Sequence, residues 1–423
     1  MIGTLDKTNR QVTIVGAGIA GMLVAYALER AGYRVTLLEE KARAGGLLRT
    51  CHTKYGIAEA AANSLLASTA VRNLCSELGV ELVDVSKESK ARYVLREGKL
   101  RKFPLTIGEA ASALGHAAFS RATNHAEALD LRTWGQRHLG AAGVEYLLTP
   151  FVRGIYGVQP AEVGVVAAFP KLLVPTGSTL LGTILKKSFK GSSSKKERAL
   201  MVAPKHGMGD LAARLENHLE QRLAFKKGVS VTELPDSPNI VLAAPAYKAA
   251  ELFAKDFPGL AERLRDVKYT PLVSVTAFVE RKCLGKPVNG VGVLIPASEK
   301  RQCLGILFSS SAFPGRVTDE SRWASFTIMM GGSTDRQWVD ASDEAINAAV
   351  EKELSEILGL RGAPLDTVIN RWPQAIPQYS IDLPTLWQSA RQTWCATPGR
   401  MLFGNYTGQV SLRGMIESAA SLG

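Results

Sequence analysis

The chain has 423 residues, 46% of them hydrophobic and 21% charged, and carries a net charge of +12 at neutral pH. That length exceeds one simple core, so two or three domains are expected, and the apolar content is ordinary for a globular protein. Five scattered cysteines without a Cys-x-x-Cys pair, and six histidines with no two at metal-ligand spacing, speak against a disulfide framework and a zinc site.

The positive charge admits nucleic acid, an anionic membrane face or acidic substrates as partners. No nucleic-acid module accompanies it, so nucleic acid is not expected. Residues 1–10 are polar and lack the apolar core of a secretory signal, which predicts a cytoplasmic protein.

Residues 12–21 read Val-Thr-Ile-Val-Gly-Ala-Gly-Ile-Ala-Gly. An apolar strand ends at Gly16, and Gly16 and Gly18 turn the chain into a helix opened by Ile19 and Ala20. Gly21 lets that helix pack on the sheet while its first N–H groups face a pyrophosphate. The next strand, residues 33–38, leads to Glu39, at the distance where a carboxylate accepts hydrogen bonds from ribose hydroxyls. Strand, glycine turn, helix and acid together predict a Rossmann-like dinucleotide site. The glycines and the helix-then-strand pattern speak against residues 12–28 as a membrane span.

Further along, a helix is predicted near residues 70–78 and a hairpin at 92–95 and 99–103 around Glu97-Gly98. Residues 104 to about 185 have helical periodicity and read as a helical insertion. The low-complexity basic stretch 186–198 reads as an exposed, mobile loop. A helix from Gly207 to about Arg222 and a buried strand at 239–244 return to the nucleotide domain. Residues 269–330 predict a second, largely antiparallel sheet, and residues 343–358 an amphipathic, solvent-facing helix.

Arg43-Ala44-Gly45-Gly46 after Glu39, followed by Leu48-Arg49-Thr50, carries a family resemblance. The chain resembles the FAD-dependent amine oxidase and protoporphyrinogen/coproporphyrinogen oxidase superfamily. Segments in the same order across nearly the whole chain resemble its porphyrinogen oxidase branch. They are residues 92–95, 98–100, 103–104, 151–157, 169–170, 304–308, 312–314, 330–332, 376–379, 404–405 and 416–418.

The resemblance implies an α/β plus α+β fold: a Rossmann-like FAD domain of the amine oxidase type, a mixed or antiparallel substrate sheet, and a helical insertion. Residues 1–65, 200–262 and 395–423 would form the FAD domain, 66–103 and 263–394 the substrate domain, and 104–199 the helical, membrane-associating domain. It implies oxidation of a porphyrinogen by FAD and molecular oxygen in haem synthesis, with protoporphyrinogen ahead of coproporphyrinogen. It also admits a homodimer, whose surface no residue assigns.

By position, Gly16, Gly18, Ile19, Ala20, Gly21, Glu39, Arg43, Gly45, Gly46, Val229, Trp372, Gly404 and Val410 would hold FAD, Trp372 also reading as a packing residue. Arg92 and Asn63 are the catalytic candidates. A planar dicarboxylate needs a fixed guanidinium, because bidentate pairing sets register as well as charge. Gly292, Leu294, Leu307 and Met329 match substrate-pocket positions, and the core of the second sheet is the alternative reading of each. No metal is expected.

The chain departs from the family at Ala60-Ala61-Ala62, where Gly-Pro is usual, and at Gln409 and Ala419, which replace glycines. These changes keep open a non-catalytic tetrapyrrole-binding relative beside another amine oxidase or desaturase activity. Peripheral membrane contact, on the inner face of the cytoplasmic membrane, is expected through the apolar stretch 163–185 beside the basic loop, an internal helical core beside a solvated charge run being the alternative reading.

Overall fold

The computed structural model describes residues 1–89, 91–123, 129–189, 200–285 and 287–422. In chain order the first unit runs β1 (Ile2–Thr4), β2 (Gln11–Val15), α1 (Ile19–Arg30) and β3 (Arg34–Glu39), then β4 (Thr50–His52), β5 (Ile57–Glu59), β6 (Leu65–Leu66), α2 (Thr69–Glu77) and β7 (Leu82–Asp84). The hairpin β8 (Arg92–Arg96) and β9 (Lys99–Arg101) leads into α3 (Ile107–Phe119), α4 (Leu131–Gly143), α5 (Thr149–Tyr156), α6 (Val165–Ala168) and α7 (Leu180–Phe189).

The chain returns through β10 (Met201–Pro204), α8 (Met208–Glu220), β11 (Ala224–Lys227), β12 (Asn239–Leu242), α9 (Ala246–Phe253) and α10 (Pro258–Arg265). Next come β13 (Tyr269–Glu280), β14 (Gly292–Leu294), β15 (Gly305–Leu307), α11 (Ser309–Ala312), β16 (Trp323–Gly331), α12 (Asp343–Leu358) and β17 (Asp366–Pro377). Then α13 (Leu383–Gln392), β18 (Arg400–Leu402) and α14 (Leu412–Ala420) close it.

The described residues form a six-stranded sheet ordered β1-β18-β12-β2-β3-β11, parallel except for β1. Parallel strands are covered on both faces, so they read as continuous apolar runs. β12 fits this: Ile240 and Leu242 pack into one core and Val241 into the other. The first of these cores contains α9, α10, α13 and much of the helical insertion. The second contains α1, α8 and α14, together with Val71, Leu74 and Cys75 of α2. The strand β1 lies within the stretch read only as polar, because three residues are too short for a periodicity signal.

A seven-stranded sheet follows the order β17-β13-β16-β15-β14-β8-β9 and is antiparallel except between β14 and β8. One face packs beneath α12, whose Ile346, Val350, Leu354 and Ile357 are buried against Val273, Val275, Ile306 and Ile328. The other face turns toward the first sheet and forms the candidate site.

Two expectations for the helical insertion need correction. Residues 163–185 were to face a membrane, but Val163, Val165, Ala167, Val174 and Leu180 are core residues packed with Trp134, Val152 and Tyr156. The exposed large apolar side chains are Ile107, Leu114 and Phe119 of α3, Phe103 before it, Leu147, Phe151 and Ile155 in and just before α5, and Ile184 and Leu185 of α7. The basic stretch begins as helix, since α7 continues to Phe189, and its residues 190–198 lie outside the described residues. Among the described residues no helix is long and apolar enough to cross a membrane.

Arg96 joins the hairpin to the insertion. Its guanidinium donates to Glu109 at 2.7 and 3.1 Å and to the Pro104 carbonyl at 2.6 Å, and lies 4.1 Å from the Tyr146 ring centre. Glu109 also closes a capping box with Thr106 at the start of α3. Hydrogen bonding from Arg96, reinforced by the Thr106 N–H, holds the Glu109 carboxyl at about 2 instead of 4.5. A depressed folded-state value contributes stability above the unfolded value that is lost as pH falls toward the folded one. Urea midpoints should therefore decline from about pH 4.5 toward pH 2, and Glu109→Gln should flatten that part of the curve.

Candidate active site

The nucleotide end is shaped by backbone. Gly16 leaves β2 with φ of 98° and donates to the Leu38 carbonyl at 2.8 Å. A side chain on Gly21 would strike the Gly16 carbonyl, so only glycine lets α1 approach β2 this closely. Gly18 is the N-cap of α1 and offers no side-chain cap, and the first turn carries no acid. A Cβ on Gly18 would meet nothing within 4 Å. The first turn of α1, opened by the half-buried Ile19 and the buried Ala20, thus starts beside the C-terminal strand ends with room at Gly18 and Gly45-Gly46 alongside, an arrangement suited to a diphosphate.

Glu39 ends the neighbouring strand. Its carboxylate accepts from the Ala17 N–H at 2.7 Å and the Lys41 N–H at 2.9 Å, which fixes it without using all its lone pairs. The Val229 N–H donates to the Glu39 carbonyl at 2.9 Å, which brings Val229 alongside. The second glycine loop lies on the first. Gly45 donates to the Ala17 carbonyl at 2.8 Å, and Arg43 donates to the Gly46 carbonyl at 2.7 Å.

α14 also starts from the C-terminal edge of this sheet, after β18. Gly404 and Thr407 close the intervening turn, with Thr407 Oγ1 donating to the Gly404 carbonyl at 2.8 Å. The half-buried Val410 precedes Ser411, which caps α14. One open groove lies between α10 and α13, lined by Phe257, Arg263, Asp266 and Thr393, and a second, sharing Phe257, is lined by Ile240 and Arg400. Those two residues mark the starts of β12 and β18, the wrong strand ends for a nucleotide.

The second half of the site is one face of the seven-stranded sheet. Cross-strand pairing sets Arg92, Gly292, Leu307, Thr327 and Thr276 in one row, and Val94, Leu294, Gly305, Met329, Ser274 and Asn370 in the next. Trp372 follows, opposite Leu272. Gly292, Leu294, Leu307 and Met329 are each half-buried, whereas Val293, Ile306 and Ile328 on the opposite face are buried. That alternation puts the four on the open face of the sheet, where Met329 also packs against Leu272 and Leu304. α5 lies over this face, where a side chain on Gly154 would run into Leu294.

Arg92 stands exposed at one end of its row. The partner of its guanidinium is the Met201 sulfur at 3.3 Å, and among the described residues it has no carboxylate partner. Of the other basic candidates, Arg153 is buried and donates to the Ile295 carbonyl at 3.2 Å, while Arg101 and Lys102 lie at the outer edge of the sheet. Burial pushes the Arg153 guanidinium below its ordinary value.

The other end of the row meets the segment after β5. Thr327 Oγ1 donates to Asn63 Oδ1 at 3.2 Å, and the Asn63 amide donates to the Ala61 carbonyl at 3.1 Å. The Trp372 indole N–H donates to the Ala60 carbonyl at 2.7 Å, which gives this tryptophan a positioning contact beyond packing. Arg49 donates to Asn370 Oδ1 at 2.8 Å, 5.8 Å from the Trp372 ring centre. From Arg92 to Thr327 there are three strand steps, a span of about 14 Å.

Beneath that segment Glu59 and Arg316, each 3% exposed, pair at 3.5 Å. Glu59 also accepts from Thr50 Oγ1 at 2.6 Å and the Met208 N–H at 2.8 Å. Burial pushes the Glu59 carboxyl up and the Arg316 guanidinium down, against the mutual attraction of the pair. Sequence reasoning missed this pair and the hydroxyls of Thr276, Ser309 and Thr327. A usable signal was present: Ser274, Thr276, Ser325 and Thr327 recur with period two inside otherwise apolar strands.

Comparison with known proteins agrees with this architecture. A crystal structure from Exiguobacterium sp. 255-15, named provisionally as a protoporphyrinogen oxidase, superposes with a TM-score of 0.79 over 99% of this chain and 98% of its own, at 21% identity. Protoporphyrinogen oxidase 2, chloroplastic/mitochondrial, of Arabidopsis thaliana is 26% identical over 97% of this chain and 92% of its own length. Coproporphyrinogen III oxidase of Bacillus subtilis (strain 168) is 22% identical over 89% of each. Residues 19–423 match the model of the flavin-containing amine oxidoreductases, so the chain belongs to that family and is an FAD-dependent oxidoreductase.

Proposed function

We propose that this enzyme oxidises a porphyrinogen to the porphyrin with molecular oxygen as final acceptor, protoporphyrinogen IX being the substrate that its site suits best. The observation that carries the reading is the row from Arg92 to Thr327. A guanidinium without a carboxylate partner stands at one end, Gly292 and the half-buried Leu307 lie between, flanked in the next row by Leu294 and Met329, and a fixed amide closes the other end. Its span of about 14 Å is of the order of a macrocycle with its propionate arm.

Bound FAD would accept hydride from the macrocycle. The chain's own residues bind and orient. Gly16, Gly18 and Gly21 with the first turn of α1 would receive the diphosphate, and Glu39 and Val229 the adenosine side. Gly45, Gly46, Gly404 and Val410 would border the remainder. Gly292, Leu294, Leu307 and Met329 would hold the ring flat and exclude water, and Arg92 would pair bidentately with a propionate. Over three two-electron steps three hydrides leave carbon, and the three protons released to water come, net, two from nitrogen and one from a meso carbon.

The count of guanidiniums favours two propionates over four. Arg153 is committed to a backbone carbonyl, Arg101 lies at the sheet edge and Arg49 is engaged by Asn370, so Arg92 is the guanidinium best placed for a substrate carboxylate. Coproporphyrinogen, with two more carboxylates, fits this arrangement less well.

We place the membrane contact of this reading on α3 and on the exposed end of the stretch 163–185, Ile184 and Leu185 of α7, and not on its buried part. Ile107 is 92% exposed, Phe119 83% and Phe103 63%, and Leu114, Ile184 and Leu185 extend the patch. The exposed Arg101, Lys102 and Lys186 rim it, as suits an anionic leaflet.

The decisive experiment mixes FAD-loaded protein with protoporphyrinogen without oxygen. The flavin absorbance should bleach, and porphyrin fluorescence should complete when air is admitted; a flavin that stays oxidised overturns the reading. Arg92→Ala should raise KM about 30-fold, the loss of about 2 kcal/mol from one charge-assisted pair, with kcat little changed. Arg92→Lys should recover only part of it, because an ammonium cannot pair bidentately. In co-sedimentation, anionic vesicles should retain the protein, and Ile107→Asp combined with Phe119→Asp should release it with the oxidase rate unchanged in detergent.

A further inference from the structure

Asn63 has a conformation dictated from two sides. The atom facing the Ala61 carbonyl at 3.1 Å must be Nδ2, since a carbonyl only accepts. Oδ1 then faces Thr327 Oγ1 at 3.2 Å, and the threonine must donate. A hydroxyl has one proton and two lone pairs. With its proton on Asn63, Thr327 Oγ1 can only accept from its other neighbours, Ser309 Oγ at 2.9 Å and Thr276 Oγ1 at 3.3 Å.

These three hydroxyl residues are buried, at 1%, 6% and 1% exposure for Thr327, Ser309 and Thr276, so water does not compete for them. Every proton in the cluster therefore has one direction, and the order ends at Asn63. Turning the amide over would set two acceptors against each other at Ala61.

We infer that Thr327, seated by Ser309 and Thr276, is a positioning residue that locks the Asn63 amide so that one N–H remains for the cavity on the Arg92 face. That N–H is a donor. It complements an acceptor, such as a flavin carbonyl or a pyrrole nitrogen that has lost its proton, and disfavours a pyrrole N–H in the same place. The hydroxyl of Thr327 thus acts through Asn63 and touches neither substrate nor cofactor.

The activity arm of the test rests on the porphyrinogen reading; the spectroscopic arm does not. In the FAD-loaded full chain, Thr327→Val keeps the shape and deletes the hydroxyl, and Thr327→Ser keeps the hydroxyl. Thr327→Val should lower kcat for protoporphyrinogen about ten- to hundredfold, with KM and FAD affinity within about twofold. Thr327→Ser should return to within about threefold of the parent.

In protein labelled with 15N-asparagine, the Asn63 side-chain signal is assigned by its loss in Asn63→Ala. Its amide protons should exchange slowly in the parent and in Thr327→Ser, and rapidly in Thr327→Val. Equal losses in Thr327→Val and Thr327→Ser, or an unchanged Asn63 signal in Thr327→Val, overturn the proposal. A parent that fails to oxidise porphyrinogen sinks the functional reading instead, and the amide signal still decides the role of Thr327.

Discussion

The open half of the site depends on register in the seven-stranded sheet. Side chains alternate with period two, so a slip of one residue between β13 and β16 would exchange Thr327 and Met329 for Phe326 and Ile328. The hydrophobic pattern forbids it, because Val273, Val275, Phe326 and Ile328 fill the core under α12. Burial on the closed face thereby fixes the polarity of the open one. A strand can hold Ser274, Thr276 and Thr327 in the interior only because its other face is committed to an apolar core.

A second constraint joins this sheet to the nucleotide half. The short segment from Glu59 to Asn63 is held at both ends and in the middle. Glu59 is tied to Thr50, Met208 and Arg316, Ala60 accepts from Trp372, and Asn63 accepts from Thr327. A buried carboxylate held by several donors is strongly destabilised when one partner is removed, so the pair with Arg316 specifies the position of the loop more than it stabilises the fold. Arg49, one strand away, donates to Asn370 on β17 and adds a tie at the same seam.

What the sequence made legible follows the range of the interactions. The βαβ unit is local, and Gly16, Gly21 and Glu39 are read from spacing alone. Arg92 is legible as a hairpin residue, but its place on the site's face requires β8 to pair with β14, some 200 positions away. The twelve-residue strand β17 carries Asn370, Arg371 and Pro373 and so lacks the continuous β-branched pattern that marks the strands between 269 and 330. β17 is an edge strand, and Pro373 falls where its register with β13 shifts, so the missing N–H removes no regular ladder bond. The misplaced membrane face has a similar cause. Residues 163–185 and α3 are both apolar in sequence, and only packing against Trp134 and Tyr156 decides which of them is covered.

The departures from the family pattern can be followed in the same terms. At residues 60–62 the concern is that side chains replace backbone at the cavity. Yet Ala60 is buried with its N–H donated to the Arg49 carbonyl and its own carbonyl taken by Trp372, and Ala62 packs against the core of the first sheet. Their methyl groups are absorbed by packing, and the carbonyl of Ala61 remains to orient Asn63. Gln409 is different, because its side chain folds over the first turn of α14 and its oxygen lies against Gly414. A Cβ at 414 would collide with it, so the bulk gained at position 409 is accommodated by its absence at 414. The N-terminus of α14 is thus covered by an amide where the family usually has a glycine. That makes Gln409, more than the alanines, the departure with direct access to whatever occupies the edge of the first sheet.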